Sequence, residues 1–256
     1  MTSPPDLLAP FRARPERAAV VTDFDGTLSP IVDDPAAARP VAGAAEALGA
    51  LVGSYGLVAV MSGRPVEFLV GRLPGGVVLS GLYGLEVVRD GVRTDHAGAG
   101  AWRTVVDDVV RASVDGGPAG MHVESKGLSL TLHFRTRPDL EPAVLDWARA
   151  QAARSGLEVR RAKMSIELHP PLAADKGTAL EALTAGLAAV CFVGDDRGDL
   201  PAYDALDRLA ASGVTAVRVG VASSEVPDEL VARSDLMLDG PPAVVELLRS
   251  LDPRVG

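Results

Sequence analysis

At 256 residues, 47% of them apolar, the chain can bury a full core, and that composition argues against disorder. A net charge of −9 argues against a nucleic-acid or acidic-membrane partner, since no surplus of cations is available to displace phosphate counterions. The single Cys191 rules out an internal disulfide and fits a reducing compartment, and with neither a basic-plus-apolar leader nor a long unbroken apolar span, a cytoplasmic location is expected.

Taken in chain order, "RAAVVTDF" (17–24) is apolar and β-branched, as a buried strand would be. "VAGAAEALGALVGSYG" (41–56) reads as an Ala/Leu helix closed by Gly56. "LVAVMSG" (57–63) is the next strand, "RPVEFLVGRL" (64–73) the next helix and "GVVLSGLYG" (76–84) a third strand. The pattern then changes. "LEVVRDGVRTD" (85–95) predicts a hairpin about Asp90-Gly91. Residues 122–136 alternate from Leu128 to Phe134 like a half-exposed antiparallel strand, and 157–170 repeat that character. Helices are expected at about 100–113 and 138–155 between them. From "DKGTALEALTAGL" onward the α/β alternation returns, with strands at "AAVCFVGDD" and "TAVRVGV". These elements predict a Rossmann-like α/β core with a parallel sheet, made of residues 1–84 and 169–256, and an inserted α+β module over 85–168.

Open α/β sheets bind ligands at the carboxyl ends of their strands. Asp23 and Asp25 close the first strand, and two neighbouring carboxylates call for a cation or a shared proton, although a pair of capping residues is the plainer alternative. Asp195 and Asp196 close a later strand, with Asp199 one turn on, where it could simply favour a helix start. Hard oxygen ligands without a His–Cys cluster point to Mg²⁺ rather than zinc. Ser62 ends another strand beside Gly63, a residue that eases close approach of backbone to ligand. Taken alone, a serine at a strand end is most often just a turn or cap residue. Lys126, Lys163 and Lys176 are the only lysines among 25 basic residues. Lys176 opens a helix, where a cation is mildly disfavoured. A compact ammonium can sit between a carboxylate and a phosphate oxygen in a way a planar guanidinium cannot.

The ordered set Asp-x-Asp-Gly-Thr (Asp23, Asp25), Ser62, Lys176 and Gly-Asp-Asp (Asp195) resembles the haloacid dehalogenase superfamily of phosphotransferases. The strings "MSGR", "GLYGLE", "VESKGLSLTLHFR", "KMSIELHP", "DKGTAL" and "GDDRGD" are similar to those of its trehalose-6-phosphate phosphatase family, over about residues 18–205. The resemblance implies a Mg²⁺-dependent phosphatase acting on a small-molecule sugar phosphate. It places the specificity-conferring cap at the inserted module. It also implies Asp23 as nucleophile, Asp25 as acid and base, and metal ligation by Asp23, the Asp25 carbonyl and Asp195, with Asp196 and Asp199 orienting metal-bound water. Ser62 and Lys176 would bind phosphate oxygens. Glu124, Lys126 and Glu167 would contact sugar hydroxyls, although charged residues on alternating strands also describe a solvated sheet face. Gly63 and Arg64 fall beside Ser62 as further substrate contacts, although a surface arginine at a helix start fits Arg64 as well. The chain departs from the family pattern at Tyr83, His169 and Leu200. Another sugar or cyclitol phosphate, a phosphosugar mutase, or a non-catalytic sugar-phosphate-binding subunit are the other readings.

Overall fold

All five residues of β1 (Ala18–Thr22) are buried. A strand apolar on both faces has to lie inside a sheet covered on both sides. The computed structural model, which describes residues 6–32, 34–162, 164–223 and 226–254, places β1 inside an eight-stranded sheet. The chain arrives through the short helix α1 (Ala9–Ala13) and continues after β1 with α2 (Ala44–Leu51), β2 (Leu57–Met61), α3 (Val66–Val70) and β3 (Val78–Gly81). Strands β4 (Glu86–Arg89) and β5 (Val92–Asp95) come next, joined through Asp90 and Gly91, both with positive φ. A separate stretch holds α4 (Arg103–Gly116), β6 (His122–Ser125), β7 (Leu130–His133), α5 (Glu141–Ser155), β8 (Glu158–Ala162) and β9 (Ser165–His169). The chain then returns with α6 (Lys176–Leu183), β10 (Ala189–Gly194), α7 (Leu200–Ala211), β11 (Thr215–Val221), α8 (Asp228–Arg233), β12 (Leu236–Leu238) and α9 (Gly240–Ser250).

The large sheet runs β12-β11-β10-β1-β2-β3-β4-β5, and it is parallel from β12 to β3. Alternate residues of β1 serve opposite cores. Ala18 and Val20 pack with Phe11, Leu48, Leu51, Leu69 and Leu248 from α1, α2, α3 and α9. Ala19 and Val21 pack with Leu180, Tyr203, Leu206 and Leu230 from α6, α7 and α8. Both faces are thus covered by helices, as the α/β alternation predicts.

The chain divides into two compact units, one running to Thr94 and resuming at Ala174, the other Asp95–Ala173. This corrects the boundaries expected at 84/85 and 168/169. The hairpin at 85–95 joins the large sheet, because β4 pairs antiparallel with β3 through Leu79↔Val88, Ser80↔Val87 and Gly81↔Glu86. Glu86 fixes it there: its carboxylate, almost wholly buried, accepts from the Val66 backbone N–H at 3.0 Å and from Arg93 at 2.6 Å. The second unit is a four-stranded sheet in the order β6-β7-β9-β8. Leu130, Leu132, Ile166 and Leu168 pack against Val106, Val109, Val144 and Ala148 of α4 and α5. The intervening residues Thr131, His133, Ser165 and Glu167 belong to the other, polar face.

Candidate active site

Asp23 lies one residue past β1, and its N–H donates to the Val193 carbonyl at 2.8 Å, continuing the β1–β10 ladder to the sheet edge. The same ladder brings the end of β10 alongside, so Asp23 and Asp195 become neighbours at adjacent strand ends. Gly26 makes that approach possible. It has φ +85°, and a side-chain carbon there would fall inside the Asp195 carboxylate. Thr27 Oγ1, which no sequence motif marks, donates to Asp195 Oδ1 at 3.1 Å.

Lys176 is the first residue of α6, whose start is fixed by Asp175 accepting from the Thr178 N–H at 2.7 Å. Its ammonium is buried and donates to Asp23 and, at 2.5 Å, to Asp199 Oδ1. Asp199 Oδ2 accepts from the N–H groups of Asp195 and Asp196 at 2.8 and 3.1 Å. Both Asp199 oxygens are therefore engaged by the chain itself. Its job is to hold Lys176 and the β10 turn in place, which explains why a residue that could merely start a helix is fully buried. Asp196 caps the same turn by accepting from the Gly198 N–H at 2.8 Å.

Carboxylate oxygens of Asp23, Asp195 and Asp199 lie within 4.8 Å of one another, all three residues buried. Like charges at that spacing repel by about 3–4 kcal/mol per pair at an effective dielectric near 20, and the Lys176 ammonium lies among them. The consequence is a change in proton affinity. Burial, and the charges of Asp199 and Asp196, push Asp195 up to about 8. Burial raises Asp23 well above the usual carboxylate range despite the pull of Lys176. Burial alone would lower the Lys176 ammonium, but Asp199 and Asp23 outweigh it and hold it well above the ordinary lysine value. A hard, oxygen-only donor set with uncompensated negative charge fits a divalent cation, with Asp23 and Asp195 carrying the oxygens available to it.

Asp25 lies two residues beyond Asp23 in the loop after β1, and Ser62 directly follows β2. Arg64 grips Asp25 bidentately, Nε to Oδ2 at 2.6 Å and an Nη to Oδ1 at 2.7 Å, while its other Nη donates to the Pro35 carbonyl at 2.6 Å. The guanidinium also stacks 4.1 Å from the Phe68 ring centroid. Arg64 is thus a fixing partner of Asp25, a role not read from its position beside Ser62. Ser62 is buried, and its Oγ accepts from the Arg64 N–H at 3.1 Å. Gly63 faces Tyr83: a side-chain carbon there would be 2.6 Å from the phenol oxygen, so its bareness serves Tyr83, a residue that itself sits at φ +58°.

In the second unit, Glu124, Lys126 and Glu167 converge on the polar side of the small sheet. Glu124 and Glu167 stand on either side of Thr131 in the register, and Lys126 Nζ is 3.9 Å from Glu167 Oε1. Glu167 is 3% exposed and accepts from Ser129 Oγ at 2.7 Å, so it is no solvated face residue. Glu124 is held by His133 at 2.7 Å. Ser129, Thr131 and His133 went unassigned, because alternation marks a face without saying what each polar side chain on it does. Lys163 lies outside the described residues.

A family model described as trehalose-phosphatase matches residues 21–235. The chain is 34% identical over 265 residues to a trehalose-phosphate phosphatase of Mycobacterium ulcerans, covering 96% of this chain and 65% of that protein. It is 36% identical over 208 residues to the corresponding Mycobacterium avium protein, covering 77% and 53%. The chain therefore spans about half to two thirds of the length of these relatives. Its fold superposes on the C-terminal domain of C. albicans trehalose-6-phosphate phosphatase with a TM-score of 0.76 and 25% identity, covering 96% and 95% of the two chains.

Proposed function

This chain belongs to the trehalose-phosphatase family, and on that premise we propose that it hydrolyses trehalose 6-phosphate to trehalose and inorganic phosphate. The observation that carries the reading is the buried set Asp23, Lys176, Asp195 and Asp199 gathered at the ends of β1 and β10. Asp23 attacks phosphorus in line and the phosphorus–oxygen bond to the sugar breaks, leaving an aspartyl phosphate on Asp23. Asp25 gives its proton to the departing sugar oxygen. The resulting carboxylate then takes a proton from water, whose oxygen attacks phosphorus, frees phosphate and restores Asp23. The two hydrogen bonds from Arg64 fix the orientation of Asp25 in its carboxylate form, the form that takes the proton from water. Lys176 and Ser62 bind non-bridging phosphate oxygens.

Asp23, the Asp25 main-chain carbonyl and Asp195 would hold a Mg²⁺ ion, with Asp196 orienting its ligand sphere, while Asp199, both oxygens engaged, holds Lys176 and the β10 turn instead. Bound there, the ion would offset the charge of the transferring phosphoryl group. Glu124, Lys126 and Glu167 read the disaccharide, the second unit supplying substrate choice. A carboxylate–ammonium set suits sugar hydroxyls, which both donate and accept.

The test is steady-state phosphate release from trehalose 6-phosphate, glucose 6-phosphate and sucrose 6-phosphate, with and without Mg²⁺. Metal-dependent preference for the first is expected, together with loss of turnover in a folded Asp23→Asn variant. Comparable rates on all three would replace the trehalose assignment with general sugar-phosphate hydrolysis, and near-normal turnover in Asp23→Asn would remove the nucleophile.

A further inference from the structure

Phe68 of α3 is half-buried at the margin of the core beneath β1, a place that any large apolar side chain could fill. Three contacts set it apart. Its ring meets that of the fully buried Phe24 at 87°, with centroids 5.7 Å apart. The Arg64 guanidinium lies 4.1 Å from its centroid, and that of Arg72 lies 3.7 Å away. Phe24 is the residue between Asp23 and Asp25, and Arg64 is the residue that grips Asp25. The ring therefore reaches the acidic loop twice, once through Phe24 and once through the fork on Asp25.

Packing alone does not call for this arrangement. A leucine would cover the core and favour the helix more strongly, but only an aromatic ring offers a negative face to a guanidinium. Two cations on one ring also repel: burial and the charges of Arg39 and Arg64 press the Arg72 guanidinium below its ordinary value. Main-chain carbonyls keep Arg72 there, since it donates to those of Phe68 at 2.6 Å, Ala38 at 3.3 Å and Ala36 at 3.5 Å. Arg64 donates to the Pro35 carbonyl at 2.6 Å, so both arginines tie residues 35–38 to the same ring. An arginine stem has many rotamers, and a fork aimed at one carboxylate needs its plane fixed. Stacking on Phe68 fixes that plane. We infer that Phe68 is a positioning residue, which through Arg64 holds the Asp25 carboxylate ready for the step in which water releases phosphate. This rests on the function proposed above. In that step the water oxygen bonds to phosphorus, the bond from phosphorus to Asp23 breaks, and a proton of the water passes to Asp25.

A pulse of p-nitrophenyl phosphate radiolabelled on phosphorus, given with Mg²⁺, chased with unlabelled substrate and quenched in acid, follows that step alone. The label stays on the protein until water removes it. In Phe68→Leu the label is lost about three- to thirtyfold more slowly, the size of a guanidinium contact on a ring face. Both kcat and KM fall with it, so kcat/KM is held. Phe68→Tyr, which keeps the face, stays within about twofold of wild type. In an Arg64→Met background the fork is already gone, and there Phe68→Leu changes the loss of label by less than about twofold. Loss at the wild-type rate in Phe68→Leu overturns the inference. So does an equal slowing with and without Arg64, or a Phe68→Tyr as slow as Phe68→Leu, since either marks a packing defect. A wild-type protein that takes up no label overturns the aspartyl-phosphate step and this inference with it. The choice among sugar phosphates is a separate result, because this substrate carries no sugar.

Discussion

At the scale of single residues, small changes of shape are expected to have large effects around Asp23. Gly26→Ala adds a side-chain carbon at φ +85° and drives it into the Asp195 carboxylate. Besides the backbone strain, on the order of 1 kcal/mol, Asp195 is displaced from Asp23. Phosphatase activity is expected to collapse while circular dichroism keeps its native form, and a Gly26→Ala enzyme with wild-type kcat would contradict the packing described. Lys176→Arg keeps the charge but brings a planar fork into a space filled by a compact ammonium between Asp23 and Asp199. Its kcat should fall about 10²- to 10³-fold, the usual loss when a donor to a charged phosphoryl or oxyanion group is misplaced. Cys191 offers a contrast. Burial in the sheet pushes its thiol up to about 12, so iodoacetamide at about pH 8 should leave the folded protein unlabelled and modify it only after denaturation. Rapid labelling of native protein would place the thiol outside the core.

Among elements, the β4–β5 hairpin carries the most instructive discrepancy. Asp90-Gly91 and the flanking alternation announce a hairpin, and a hairpin forms. Which sheet it joins is not written in its own residues, because alternation specifies a face and not a partner strand. The deciding contact is Glu86 with the Val66 N–H and Arg93, and a glutamate in a short polar segment gives no local sign that it will be 1% exposed. Glu86→Ala strips a buried N–H of its acceptor and should cost about 2–3 kcal/mol in urea unfolding. A cost below the scatter of such measurements would show the hairpin to be held by its backbone pairing alone. The core strands were far more legible. Apolar runs such as "AAVVT" and "AVCFVG" belong to strands covered on both faces, and their ends deliver the acidic residues to one sheet edge. The Arg64–Asp25 pair and the dual engagement of Asp199 were not legible, since both depend on side chains brought together by tertiary structure.

For the whole molecule, the acidic cluster links stability to pH and metal. Asp195, at about 8, and Asp23, also raised, hold protons in the metal-free folded state that the unfolded chain gives up near pH 4. A raised folded value means the contribution of these groups is complete below about pH 4 and is lost as the pH climbs through about 8. A divalent ion held at these carboxyls, as proposed above, would take the place of those protons. The rise in melting temperature on adding magnesium chloride should therefore be larger at about pH 8 than at about pH 6. An equal or smaller rise at the higher pH would mean that the ion does not bind at these carboxyls.

Because β1 pairs with β10, and Asp23 meets Lys176 only across a sequence separation of 153, a ribosome delivers the attacking carboxylate long before its ammonium exists. Until the late strand emerges, β1 has an unpaired flank inside what becomes the middle of the sheet. Premature termination anywhere ahead of Ala189 consequently yields a product with a sticky apolar border and no chemistry, a species for chaperones and proteases and not a weakened enzyme.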